Sequence, residues 1–288
     1  MLQLIINGLI TGSLYSLAAL GLVMIFKTSD IVNFSQGEMA MFNTFMAFTL
    51  LTTLKVPYYL AFLLTIIFAA IMGLIIQKIV IGPLKDAPLL SSMIATLGLI
   101  MILNGLAGNI FGFETKSFPK LVQGENIQIL GTSVEPNSLA TMGITFFIML
   151  LLLYFFKYTK TGLALRASAQ NPEAAQLMGI SVNKVVTLTW IISAVLSGVA
   201  GMLIAPITFL DVSMMADMHL KSFAAAVLGG FNTFGGPVVG GFLLGIAENV
   251  FGKYISLSWK TVFSFALIIL MLIIKPNGLL GKTYRKKV

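Results

Sequence analysis

The chain has 288 residues, of which 58% are apolar and only 10% charged, and it carries a net charge of +8. Soluble domains carry roughly a quarter charged residues, so an ordinary soluble domain is excluded. The absence of cysteine excludes a disulfide framework and a Cys-based metal site, and a single histidine, His219, argues against a His-rich one.

Apolar runs of about 20 residues, the length that crosses a hydrocarbon core, recur along the chain at 2–26, 31–54, 57–80, 89–111, 138–158, 185–210, 222–251 and 259–274. The first lacks a basic start and is too long for a signal-peptide core, so it reads as a retained span. Open sheets cannot satisfy their backbone in lipid, and the runs lack the alternation of barrel strands. The expected fold is therefore all-α: a polytopic helical membrane protein with about eight hydrophobic segments, forming one domain over 1–288.

Basic residues set the expected orientation. Lys27, Lys78, Lys85, Lys157, Lys160, Arg166, Lys184, Lys275, Lys282, Arg285, Lys286 and Lys287 fall on one set of alternating loops and ends, which reads as cytoplasmic. The other side holds Lys55, Lys116, Lys120, Lys221, Lys253 and Lys260, partly balanced by Glu114, Glu125, Glu135, Asp211 and Asp217. The N-terminus is thus expected outside and the C-terminus inside, and the positive charge reflects this topology rather than nucleic-acid binding. The same count requires the 222–251 stretch to re-enter or to cross twice. Gly229, Gly230, Gly235, Gly236 and Pro237 interrupt it, which predicts two half-helices meeting at a break. Non-helical backbone at membrane depth is tolerated where it is packed in protein or lines a wet cavity, so the break points at a transport path.

The external loop 112–137 is polar and reads as a small cap. Phe42-Asn43-Thr44-Phe45 recurs as Phe231-Asn232-Thr233-Phe234, which fits either internal pseudo-symmetry or coincidence in a Phe-rich chain. Gly8 with Gly12, Ala194 with Gly198, Ser197 with Gly201 and Gly241 with Gly245 have the four-residue spacing that lets helices approach closely, a packing role within the chain or against a second one. Gly281-Lys282-Thr283 mimics the end of a phosphate-binding loop, but its earlier glycine would fall at Pro276 and the flanking strand and helix are missing.

Two places carry candidate function. Glu38 and Glu248 lie inside apolar runs, where a charge costs about 2.5–3.5 kcal/mol and needs partners or water. Asn33, Gln36 and Glu38, with the four glycines and Glu248, are therefore candidates to line or gate a path; the alternative is that both acids are helix-end charges near the headgroups. The loop 159–184 is too long and too patterned for a passive turn. Asn171 can cap a helix with Pro172 at its first position and Glu173 in its first turn, predicting a helix over 172–178 closed by Gly179. Such a helix can insert into a groove of another protein or lie on lipid headgroups between Arg166 and Lys184.

Glu173-Ala174-Ala175 followed by Gly179 resembles the ATPase-docking loop of ABC importer permeases, and GLALRASAQNPEAAQLMGI around it resembles the branched-chain amino acid (LivH/LivM) permeases. NGLITGSLYSLAALGL, IVNFSQGEMAMF, SMIATLGL, AAVLGGFNTFGGPVVGGFLLGIAE and KPNGLLG extend the likeness nearly end to end, and the short N-terminus favours the LivH type. Where that family often has His in NFAHGE, this chain has Gln36, which keeps the polarity and removes a titrating group. The resemblance implies a non-catalytic permease of the bacterial inner membrane, working by alternating access. Its implied partners are a second, LivM-type permease or a second copy, two cytoplasmic ATPases that bind ATP and Mg, and an external substrate-binding protein. This chain itself would hold no cofactor. Arg166, Glu173, Ala174, Ala175 and Gly179 would form the coupling loop. Urea or amides, nucleosides and pentoses remain alternative cargoes, and a stand-alone channel or ion-coupled carrier is the alternative of another class.

Overall fold

The computed structural model describes residues 1–129 and 131–281; the tail cations Lys282, Arg285, Lys286 and Lys287, and most of the loop-like Gly281-Lys282-Thr283, lie outside the described residues. Every expected hydrophobic segment is helical. In chain order these are α1 (Leu2–Ser29), α2 (Gln36–Phe48, continued by a π turn over Thr49–Thr53), α3 (Tyr58–Ile75, continued by a π turn over Ile76–Ile81 and a 3-10 turn over Gly82–Leu84) and α4 (Leu89–Phe111). A short antiparallel hairpin follows, β1 (Ile127–Ile129) with β2 (Thr132–Val134), pairing Ile127 with Val134. The loop expected to form a cap is thus built on a hairpin that its polar sequence does not announce. Then come α5 (Pro136–Tyr158), α6 (Lys160–Gln170), α7 (Pro172–Leu177), α8 (Val182–Thr208), α9 (Ala216–Gly229), α10 (Gly236–Tyr254) and α11 (Lys260–Ile274).

Among the described residues, five helices are long and apolar enough to cross a membrane: α1, α3 with its extension to Leu84, α4, α5 and α8. They divide by burial. Of the most apolar window, 83% is buried in α1 and 78% in α8, against 28%, 22% and 28% in α3, α4 and α5. The last three turn side chains such as Ile79, Met101 and Phe147 outward. Apolar side chains exposed along a whole helix face suit lipid as the surrounding solvent, whereas a helix apolar all round and buried belongs to a core.

The chain divides into two compact units, with boundaries inside α1 and α5. One takes Met1–Val23, Val122–Met149 and the residues from His219 on; the other takes Met24–Leu121 and Leu150–Met218. In the first, the two glycine pairs anticipated as close-approach sites meet each other. A Cβ on Gly8 would lie 2.6 Å from the Ile246 Cα, and one on Gly12 would lie 2.8 Å from the Gly241 carbonyl oxygen. No real Cβ tolerates that approach, so α1 and α10 touch backbone to backbone. Ser13 and Thr145 hydroxyls are 2.9 Å apart, linking α1 to α5.

In the second unit, α8 packs against both α2 and α3. A Cβ on Gly73 would fall 2.7 Å from the Trp190 carbonyl oxygen, and one on Gly201 would fall 2.8 Å from that of Ala40. Buried Met39, Met72, Ile76, Leu99, Leu103 and Trp190 fill the space around this seam. The small-residue spacings of α8 therefore serve contacts within the chain.

Candidate translocation and docking sites

Seen from its residues, the glycine break is a corner that only glycine can turn at most of its positions. Helix α9 ends at Gly229, Gly230 has φ of 105°, and α10 opens at Gly236. A Cβ on Gly229 would lie 2.8 Å from the Pro237 nitrogen, and one on Gly236 would lie 2.6 Å from the Gly229 carbonyl oxygen. Gly235 faces open space and is not sterically required. The Thr233 hydroxyl accepts from the Gly236 N–H at 3.0 Å, satisfying one free donor at the start of α10. The carbonyl end of α9 is closed by a distant segment: the N–H groups of Leu279 and Leu280 donate to the carbonyls of Leu228 and Gly229 at 2.8 and 3.0 Å. In the sequence, KPNGLLG carries resemblance but no role; in the fold it is the cap of this corner.

Glu248 sits inside α10, 2% exposed. Lys221 of α9 approaches it at 2.6 Å, and the Tyr15 hydroxyl of α1 donates to its other oxygen at 3.0 Å. The Lys221 ammonium also lies 5.9 Å from the centre of the Tyr15 ring. This corrects two expectations. Lys221 is not a loop cation but a buried member of α9, and Glu248 is not a helix-end charge. Taking either ion from water costs several kcal/mol, which the pair offsets only because both are held in one geometry with a further hydrogen bond. Lys221 and Tyr15 were not among the expected site residues. The signal that pointed to them was the rule that an acid inside an apolar run needs a cation, combined with the position of Lys221 just before SFAAAVLG.

At the second polar segment, α2 begins at Gln36, later than the run starting at 31 suggests. Asp30 takes a left-handed turn (φ 55°), and buried Asn33 accepts from the Ser35 N–H at 3.1 Å and from its hydroxyl at 2.7 Å. A side chain that bonds backbone two residues on favours a turn over a helix. Gln36, 2% exposed, accepts from the Ser193 hydroxyl of α8 at 3.3 Å. Glu38 lies half-buried in the first turn of α2, where the helix dipole favours an acid, and among the described residues it has no hydrogen bond or ion pair. The fold thus groups Asn33, Gln36 and Glu38 at the opening of α2, and groups the glycine corner separately with Glu248.

The loop 159–184 holds two helices, not one. Thr159 accepts from the Gly162 N–H at 2.9 Å and starts α6, a helix beyond the one expected in this loop. Asn171 then ends α6 and caps α7, accepting from the Ala174 N–H at 3.0 Å. Pro172 opens α7, Glu173 occupies its first turn, and Gly179 with φ of 81° closes it, its N–H donating to the Gln176 carbonyl at 2.9 Å. A helix this short depends on its caps. Ala175 is buried and anchors it, while Glu173, Ala174 and Gly179 are exposed and Leu177 and Met178 stand 89% and 83% exposed. Arg166 on α6 reaches the Lys157 carbonyl at 3.4 Å, behind this knob.

A family model described as branched-chain amino acid transport system / permease component matches residues 4–272. The chain belongs to that family. The permease protein LivH of a high-affinity branched-chain amino acid transport system in Salmonella typhimurium is 33% identical over 304 aligned positions, covering 100% of this chain and 97% of that protein. BraD of Pseudomonas aeruginosa, named for the same kind of system, is 31% identical over 100% of this chain and 98% of its own. A probable branched-chain amino acid transport permease protein LivH of Methanocaldococcus jannaschii is 33% identical over 99% and 94%. The likeness thus includes both polar segments, the glycine corner and the α6–α7 loop of this family member.

Proposed function

We propose that this chain is the membrane-spanning permease subunit of an ATP-driven importer for branched-chain or other hydrophobic amino acids. It would act as one permease domain beside a second permease of the same family or a second copy. Two cytoplasmic ATPases bind ATP and Mg, and an external binding protein delivers the solute. The chain itself performs no covalent chemistry. It lies in the bacterial-type inner membrane with its N-terminus outside and its C-terminus and α7 in the cytoplasm. The full-length likeness to permeases named for branched-chain amino acid transport supports the cargo.

The observation that carries the coupling mechanism is the capped, protruding helix α7, whose exposed Leu177 and Met178 make an apolar tip fit for a groove in an ATPase. Nucleotide-driven motion of the ATPases moves α7, and the helices open their two sides in turn. The resulting bias comes from differential contacts in the two states, not from chemistry in the spans. Glu38, Gln36 and Asn33 are the polar lining or gate, and the glycine corner with Glu248 is a fixed element of the first unit.

The test is reconstitution with and without the partner subunits. Leucine uptake should require the ATPases, ATP and the binding protein; uptake by the chain alone would falsify the reading in favour of a channel or ion-coupled carrier. Gly179→Arg and Glu173→Ala should insert normally but hydrolyse ATP, in complex with the ATPases, without matching uptake. Normal uptake in both would remove α7 as the coupling element.

A further inference from the structure

A cavity of about 870 Å³ opens within the second unit, between the end of α1, the π and 3-10 extension of α3, the start of α4, α7 and the start of α8. Its size lies within the range of small-molecule sites, about 300–1,000 Å³. Three features mark it as more than a gap between helices. It holds charge of both signs: Asp30 follows the carboxyl end of α1, and Lys78 sits on the extension of α3. Neither makes an ion pair among the described residues, whereas Lys85 and Asp86, which also line the cavity, pair with each other at 3.9 Å.

The second feature is unmet hydrogen-bonding capacity. Ser92, in the first turn of α4, is 3% exposed, lines the cavity and has no side-chain hydrogen bond among the described residues. Gln77, 9% exposed, engages Thr187 at 2.9 Å through one amide atom and leaves the other without a partner. Both free groups are open to water in the cavity, so a ligand there can engage them without breaking a bond within the protein. The third feature is a set of aliphatic side chains, Ile31, Ile81, Leu84, Val182 and Val186, in a wall that also carries Ser29, Asn183 and Thr187.

The helix ends reinforce the charges. The carbonyl end of α1 adds partial negative charge beside Asp30, a position where an acid is otherwise disfavoured. The amino ends of α4 and α8 reach the same cavity at Leu89 and Val182, and neither has a side-chain cap. An ammonium is favoured at the first, an acidic group at the others, and an aliphatic body between them.

We propose that this cavity is a binding site for a zwitterionic amino acid with an aliphatic side chain, separate from the path candidates, by which solute on the α7 side slows import. The regulatory part rests on the cargo and orientation proposed above; the binding part does not. Because the cavity abuts Gln176 of α7 and the first turn of α8, an occupant there would bias the position of the docking helix. A zwitterionic lipid headgroup shares the two charges, and the experiment separates the sources.

Equilibrium binding of L-leucine is measured on the purified full chain in phosphatidylglycerol nanodiscs. One saturable site is expected. 4-Methylvalerate and isoamylamine, each leucine less one charged group, should compete at least about tenfold less well, since hydrogen bonds to charged groups carry that much affinity. The double substitution Asp30→Asn with Lys78→Met should weaken leucine by about tenfold or more while the chain remains monodisperse and thermally stable. Ser92→Ala, a milder change, should weaken it severalfold. Absent saturable binding, or an unchanged affinity in the double variant, overturns the proposal. A comparable loss of leucine affinity when phosphatidylethanolamine is added assigns the cavity to a headgroup and also overturns it. In the complete importer, leucine preloaded on the α7 side should slow uptake by the wild type and not by the double variant. Leucine uptake with no leucine binding to the chain sinks this site alone; binding without any ATP-dependent uptake sinks the importer reading and leaves the site standing.

Discussion

Glu248 and Glu38 are both acids in apolar runs, and nothing in their local sequence separates them. In the first unit Glu248 is enclosed by Lys221 and Tyr15, each from a different helix, next to a corner closed by glycine and by the Leu279–Leu280 N–H groups. In the second unit Glu38 stands half-buried at the start of α2 with no partner among the described residues. One acid holds helices together; the other has its charge uncommitted. A group fixed on every side is a poor candidate to change state during transport, so Glu38 is the better candidate to respond to solute or to a moving helix, and Glu248 to hold its own unit together.

The largest effect expected from this difference is at Glu248. Glu248→Gln removes the carboxylate that the buried Lys221 ammonium meets at 2.6 Å and should cost about 3–5 kcal/mol, read as a large fall in thermal unfolding temperature of the purified chain in detergent. Replacing both partners, Lys221→Met with Glu248→Leu, should recover most of that loss, because an apolar pair of similar volume removes both desolvation costs. If the double variant is as unstable as the single one, the pair is not the source of the stability.

Next comes the corner. Gly230→Ala places a side chain at φ 105° and against the Asn277 carbonyl, and should cost about 1–3 kcal/mol in the same unfolding measurement. Gly235→Ala faces open space and should fall within about 0.5 kcal/mol of the wild type. Equal losses at the two positions would mean that backbone freedom, and not steric fit, selects glycine there.

A loss of about 1 kcal/mol is expected for Asn171→Ala, confined to α7 and visible as faster amide exchange over 172–178 with global unfolding unchanged. The smallest stability effect is at Glu38: Glu38→Gln should shift unfolding by no more than about 0.5 kcal/mol, yet lower uptake by the complete importer severalfold. A stability loss at Glu38 that rivals the one at Glu248 would erase the distinction between the two acids.

Much of this fold is legible from the chain alone because lipid narrows the choices. Run length and the need for internal backbone hydrogen bonds give the helical segments, and Gly229–Gly230 with Gly235–Gly236 gives the corner. The Asn171-Pro172-Glu173 start and Gly179 end of α7 are local signals and appear within a residue of their expected positions. What escaped depends on distance in space or on competition between local signals. The pairing of Lys221 with Glu248 needs three helices to meet. The late start of α2 is written in Asn33 and Ser35, whose turn-forming side chains are masked by the apolar residues that flank them. Helix α6 has good helix formers in LALRASAQ, but Gly162 near its start and its charged flanks suggest a loop until the Thr159 cap is seen.

The cap on α9 has a consequence for how the molecule is made. The carbonyls of Leu228 and Gly229 wait for donors that lie beyond α10 and α11, so this bend cannot mature until both helices and the segment after them have left the ribosome. A transcript cut short just after α11 would yield α1 to α11 and still an unfinished corner, a handle for membrane quality-control proteases.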